Sequence, residues 1–234
     1  MSPSAATVEP WAVSGSRGAV GSAVKAMLET KGVPVVELDL AGPRSVDVED
    51  EAAVRSALRE GLDRWGASSY RALVTCAASF PDGDGGLGDV TPEALSMSWR
   101  TNVLGLLSTV RACVPLLSSE RSSIVLVGST VAHLGCVRPA LAYASSKAAV
   151  ESIGRELAAE LALSSVRVNM VIPGPLDSGL IPKDGFAAAR AAEIPMGRLG
   201  TADEVAEVIV NLALTDGFRT GSSVVVDGGL LSIR

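Results

Sequence analysis

Seven times along this chain a short apolar run gives way to a segment of helical periodicity. Six of these runs, Trp11-Ala12-Val13, Val35-Val36, Leu73-Val74, Ile124-Val125-Leu126-Val127, Val171-Ile172 and Val224-Val225-Val226, mark the clearest strands. A strand with one wet face alternates apolar and polar residues, whereas a strand covered on both faces reads as a continuous apolar run. The runs here are mostly of the second kind, and the segments between them can supply the crossovers that parallel strands need. The pattern predicts an α/β chain with a seven-stranded, mostly parallel sheet, doubly wound in three layers with helices on both faces.

Composition narrows what such a chain does. Apolar residues are 47% of 234 positions and charged ones 20%, which suits one packed domain over residues 11–234 behind a loose tail at 1–10. A net charge of -6 and a pI near 4.9 argue against nucleic acid or an anionic membrane as partner, since both are recruited by basic patches. No apolar run approaches the ~20 residues of a spanning helix. Met1 to Pro10 has neither the basic start nor the apolar core of a secretory signal, so a cytoplasmic location is expected.

Cys76, Cys113 and Cys136 stand too far apart for a Cys-x-x-Cys zinc site, and His133 is the single histidine. No metal is expected. Asp82, Asp84 and Glu93 fall at the first, third and twelfth places of a calcium loop, but Leu87 occupies the sixth, where glycine is required. That segment reads as a mobile, solvated loop.

The first strand runs into Gly15-Ser16-Arg17-Gly18-Ala19-Val20-Gly21 and then into a helix. Glycines let the backbone turn tightly and approach a pyrophosphate, which a helix N-terminus attracts. Val35-Val36-Glu37-Leu38-Asp39 closes the second strand with an acid where a carboxylate can accept from the ribose hydroxyls of a dinucleotide. A plain tight turn is the alternative reading of the glycines alone.

Further on, Tyr143-Ala144-Ser145-Ser146-Lys147 places a phenol and an ammonium one helical turn apart on one face. A free tyrosine titrates near pH 10, and a neighbouring cation lowers that value, so Tyr143 becomes a candidate proton carrier with Lys147 as its partner. Ser129 follows the buried run Ile124 to Gly128. Its hydroxyl is suited to hold a substrate oxygen beside the phenol. Chance helix decoration is the bland alternative for the Tyr-x-x-x-Lys spacing alone.

Strand, turn, Ser129, Tyr143-x-x-x-Lys147 and a strand ending in Val171-Ile172-Pro173-Gly174-Pro175 together resemble the classical short-chain dehydrogenase/reductase family over residues 11 to 229. The resemblance implies a Rossmann-type fold, a nicotinamide cofactor and hydride transfer at a secondary alcohol or ketone carbon. It implies catalysis by Ser129, Tyr143 and Lys147, with Asn102, in Asn102-Val103-Leu104-Gly105, anchoring a proton relay; capping a local bend is the other reading of that residue. Cofactor contacts are expected at Gly15, Arg17, Gly18, Val20, Gly21, Asp39, Asp47, Val48, Ala77, Tyr143, Lys147, Pro173, Gly174 and Ser178. Asp47 and Val48 resemble the pair that borders adenine, although Asp47 also suits a helix cap.

The glycine spacing departs from the family's Gly-x-x-x-Gly-x-Gly, because Gly18 is the middle glycine and Ala19 takes the usual place. It is similar to the extended branch of epimerases and dehydratases, whose chains are longer. Arg71 to Ala78 stands where the family has Asn-Asn-Ala-Gly, and Ala77 alone is unchanged. Asp39 points to NAD as the preferred cofactor, while Arg17 keeps NADP possible. Phe80, Trp99, Leu134, Leu176 and Leu180 suggest a partly apolar, cyclic substrate, and His133, next to the Ser129 turn, is a further candidate for binding it. The family also implies a homo-oligomer, tetramer or dimer. A non-catalytic dinucleotide sensor and an extended-type epimerase or dehydratase are the rival functions.

Overall fold

The structure is a computed structural model and describes residues 8–118, 121–135, 139–178, 185–215 and 217–233. Strands β1 (Trp11–Ser14), β2 (Val35–Leu38), β3 (Ala72–Thr75), β4 (Ser123–Val127), β5 (Arg167–Pro173) and β6 (Ser223–Val226) form one sheet in the order β2-β1-β3-β4-β5-β6. Every pairing is parallel. The helices are α1 (Ala19–Thr30), α2 (Glu51–Trp65), α3 (Pro92–Trp99), α4 (Leu106–Cys113), α5 (Leu141–Ala162), α6 (Gly185–Ala192) and α7 (Ala202–Leu214).

Six strands stand among the described residues where seven were expected. Between β2 and α2 lie residues 39 to 50, which contribute a single bridge, Asp39 to Ser45. A further parallel strand needs a crossover of about a dozen residues before it can pair. The connector is used up by its turns at Gly42 and Pro43 and has no room for one. At the start of the described residues, Pro10 is buried and its carbonyl accepts the Arg71 amide at 3.0 Å, while Glu9 accepts the Ser69 hydroxyl at 2.9 Å. Residues 1–7 lie outside the described residues.

Successive side chains of a strand point to opposite faces, and the buried residues sort accordingly. Ala12, Leu73, Ile124, Leu126, Met170 and Ile172 pack with α2, α4 and α5. Trp11, Val13, Val74, Val125, Val127 and Val171 pack with α1 and α7. Each large apolar side chain buried this way stabilises the fold by about 1.5–3 kcal/mol. Trp65 ends α2 and is 47% exposed.

Local chemistry sets the helix starts. Asp50 accepts from the Ala52 and Ala53 amides at the head of α2, so Asp47 is not that helix's cap. Thr91 caps α3 with Pro92 in its first turn, and Thr201 and Glu204 form a reciprocal capping box on α7. The chain leaves β1 toward β2 on one side and returns to β3 on the other. That reversal opens a crevice at the carboxyl ends of β1 and β3, the place where open α/β sheets bind ligands.

Candidate active site

The glycine turn sits at this crevice. Gly15 has φ +64°, and a Cβ there would lie 2.5 Å from the Ala77 nitrogen across on β3's continuation. A Cβ on Gly21 would lie 2.1 Å from the Gly15 carbonyl oxygen, so α1 packs directly against the turn. Gly18 is the N-cap of α1 and offers no side-chain hydrogen bond. The bare first-turn amides, with Val20 half-buried among them, fit a pyrophosphate.

Acids surround the basic residues of this turn. The Arg17 guanidinium donates to Glu37 at 2.7 Å, Lys25 lies 3.2 Å from the same carboxylate, and the Ser16 hydroxyl donates to it at 3.3 Å. Asp39 at the end of β2 accepts the Arg17 amide through one oxygen and the Ala41 amide through the other, both at 2.9 Å. Asp47 is exposed and accepts the Glu49 amide, while Val48 is buried against Gly105. Thr75, the last residue of β3, has a buried hydroxyl with no hydrogen-bond partner among the described residues.

The carboxyl end of β4 carries Ser129, and α5 carries Tyr143 and Lys147. Ser129 and the Tyr143 phenol are hydrogen bonded. Lys147 is buried, donates to the Val127 carbonyl at 2.9 Å and lies 5.7 Å from the centre of the tyrosine ring. Burial pushes Tyr143 up to about 12 against the opposing pull of the Ser129 hydrogen bond. The net direction is upward, opposite to the lowering expected from Lys147. The lysine is itself pushed down to about 8 by burial, with Cys76 pulling it back up.

Asn102 lies in a π-helical turn, Arg100–Gly105, between α3 and α4, a distortion that recurs at functional sites. Its amide does more than cap the bend. The side-chain oxygen accepts from Ser79 N at 2.6 Å, and the nitrogen donates to Ser79 O at 3.0 Å and to Ser146 Oγ at 2.9 Å. One residue thus ties the β3–α3 loop to α5. Ser79 and Ser146 were not singled out in the sequence; Ser146, inside the Tyr-x-x-x-Lys stretch, was the more legible of the two.

On the substrate side, Phe80 meets the Tyr143 ring edge-on, with centroids 5.2 Å apart, and stays 61% exposed. Leu134 is half-buried beyond the Ser129 turn. His133 Nε2 lies 2.9 Å from Oε1 of Glu151, a buried acid eight residues after Tyr143 on the same helix face. Leu176 bridges to Gly200 and lines a cavity of 330 Å³ with Met196, Arg198 and Val225 at the ends of β5 and β6. Pro173 is buried, Gly174 donates to the Val226 carbonyl at 2.9 Å, and the Ser178 amide donates to Leu176 O at 3.0 Å. Leu180 and Cys136 lie outside the described residues. No helix among the described residues is long and apolar enough to cross a membrane, and none of their side chains form a three-ligand metal cluster.

Residues 17–231 match the family described as Enoyl-(Acyl carrier protein) reductase. The chain is 33% identical over 232 residues to a 3-oxoacyl-(acyl-carrier-protein) reductase of Bos taurus, covering 92% of this chain and 94% of that protein. It is 34% identical over 197 residues to a protein of Xanthobacter autotrophicus named inactive 2-(S)-hydroxypropyl-CoM dehydrogenase 2, covering 80% and 84%. Among solved structures, ligand-free aldohexose dehydrogenase of Thermoplasma acidophilum superposes with a TM-score of 0.87 at 25% identity, covering 97% and 95%. A metagenomic blue fluorescent protein in complex with NADPH gives 0.84 at 25% identity, covering 96% and 99%. With a parallel sheet that reverses beside a glycine turn, and with relatives of this kind along nearly its whole length, the chain belongs to the short-chain dehydrogenase/reductase family of oxidoreductases acting on CH-OH and carbonyl groups.

Proposed function

We propose that the protein transfers hydride reversibly between NAD and a secondary alcohol or ketone, with Tyr143 as proton carrier. The observation that carries this reading is the convergence of the Ser129 hydroxyl and the Lys147 ammonium on the Tyr143 phenol, the first by a hydrogen bond and the second 5.7 Å from the ring centre. When bound, a nicotinamide supplies the carbon that takes or gives the hydride. Ser129 donates a hydrogen bond to the substrate oxygen, Tyr143 takes its proton during oxidation or returns it during reduction, and Lys147 holds the ribose. Asn102 anchors the relay through the turn it shares with Ser79 and Ser146.

NAD is favoured over NADP because Asp39, just past the carboxyl end of β2, would accept from the ribose hydroxyls and would meet the extra phosphate of NADP as a like charge. Such a pair costs roughly 1–4 kcal/mol at contact, depending on how wet it is. Arg17, the residue that argues the other way, is held by Glu37. The exposed ring of Phe80 beside the phenol favours a partly apolar, cyclic alcohol. A homo-oligomer, tetramer or dimer, belongs to the same reading.

The test is a panel of cyclic and aliphatic alcohols and ketones, with a 3-oxoacyl thioester included because relatives are named for such substrates. Reduced nicotinamide absorbance is followed with NAD and NADP on the wild type and on Tyr143→Phe. We expect turnover with NAD to exceed that with NADP by about tenfold or more, and Tyr143→Phe to lose roughly 10²–10⁴-fold in kcat while still binding cofactor. Near-normal turnover by that variant would remove Tyr143 from its role.

A further inference from the structure

Helix α5 carries Tyr143 and Lys147, yet its own N-cap residue, Ala140, makes no side-chain hydrogen bond. The first amides of a helix have no intrahelical partner and need one from outside. Three of them find it in a single dipeptide. Gly85 O accepts from Leu141 N at 3.1 Å, and the Asp84 carboxylate accepts from Ala142 N through Oδ1 and from Tyr143 N through Oδ2, each at 2.9 Å. Asp84 stands 58 and 59 residues before its two partners.

The same loop holds the site at two further points. Ser79 pairs with Asn102 through both main-chain groups, and the Phe80 ring rests edge-on against Tyr143. Its far end is closed by Thr91 N donating to Gly83 O at 3.1 Å, where Gly83 has φ +80°. The segment read from sequence as mobile and solvated is thus fastened at both ends, with Asp84 half-buried between them.

The geometry points to Asp84 as a positioning residue for Tyr143: its carboxylate clamps the first turn of α5 and so fixes the phenol relative to Ser129. This rests on the reading of Tyr143 as the proton carrier. Tyr143 is the third residue of α5 and its own amide is one of the clamped donors. Fraying of an uncapped first turn moves it directly. Lys147 sits one turn deeper, where intrahelical bonds hold it. The negative charge at the helix N-terminus also suits the macrodipole. Loss of the clamp therefore disturbs chemistry and spares cofactor binding.

The test compares Asp84→Ala, Asp84→Asn and Asp50→Ala, the last removing a cap of the same kind from α2, which carries none of the proposed catalytic residues. For Asp84→Ala we expect kcat to fall about 10–100-fold, since a displacement on the order of 1 Å can cost 10², with the NAD dissociation constant within about twofold of wild type on the same scale. Asp84→Asn keeps one acceptor oxygen and should restore part of the rate. Asp50→Ala should lower the melting temperature and leave kcat nearly unchanged. Hydrogen exchange of the 140–147 peptide, which needs no substrate, should speed up in Asp84→Ala and less in Asp84→Asn. Unchanged exchange, unchanged kcat in Asp84→Ala, or an equal kcat loss in Asp50→Ala would overturn the assignment. If Asp84→Ala does not fold, Asp84→Asn decides by the same exchange and kcat criteria. Absence of nicotinamide-linked turnover in the wild type would instead strike the functional reading, while the exchange still reports the clamp.

Discussion

Lys147 is 3% exposed, donates one hydrogen bond to the Val127 carbonyl and is pushed down to about 8 by burial from an ordinary value of 10.5. Below about pH 8 the folded chain must bury the ammonium. Between about 8 and 10.5 the unfolded chain still holds that proton while the folded chain has released it, so this group's contribution to stability rises with pH across the window. The full effect is on the order of 3 kcal/mol at most. We predict that cofactor-free Lys147→Met gains stability over wild type at pH 7 and that the gain shrinks as pH rises from 8 to 10. Urea unfolding at several pH values checks this; a gain independent of pH would show that the lysine is not desolvated. At this scale the spacing of Ser129, Tyr143 and Lys147 was legible, because an i, i+4 pair on a helix shares a face whatever surrounds it. The direction of the tyrosine shift was not, since it depends on burial contributed by residues far along the chain.

Elements differ in how much of their reason is local. Thr91-Pro92, Asp50 and the Thr201–Glu204 pair start helices by chemistry contained in a few residues. The head of α5 has no such local reason, because its cap comes from the loop after β3. Likewise the seventh strand failed on the length of a connector, a constraint that apolar runs do not display. The glycine turn lies between these cases: its role as a tight turn was readable, but the reason for Gly21 is contact with the Gly15 carbonyl. We predict that Gly21→Ala, which puts a methyl 2.1 Å from that oxygen, destabilises the protein by about 1–3 kcal/mol and weakens NAD binding by shifting α1 off the turn. Thermal unfolding and cofactor titration check it, and a variant matching wild type in both would mean that the helix can move freely.

Across the whole molecule the parallel sheet and its two helical layers were legible, because strands covered on both faces have to be apolar throughout. Surfaces that meet other molecules are a different matter, since a partner covers apolar residues that the isolated chain leaves in view. Met97 and Trp99 on α3, Leu104 in the π-helical turn and Leu141 at the head of α5 are 50%, 42%, 55% and 40% exposed. Those elements pack against one another. At the sheet's outer edge Val225 of β6 is 46% exposed, and Ile233 beyond it 63%. Contiguous apolar surface on a soluble chain marks an interaction site, and closed symmetric assembly of identical chains is the commonest way of covering it. Two separate faces allow a dimer through one and a tetramer through both. We predict a homotetramer, with Val225→Lys, at the edge strand, lowering it to a dimer because a charge placed in an apolar contact without a partner is strongly disfavoured. Light scattering at micromolar concentration on wild type and variant reads the mass directly. A monomer in the wild type at every concentration would refute the assembly, and an unaltered tetramer in Val225→Lys would show that β6 is not one of its contacts.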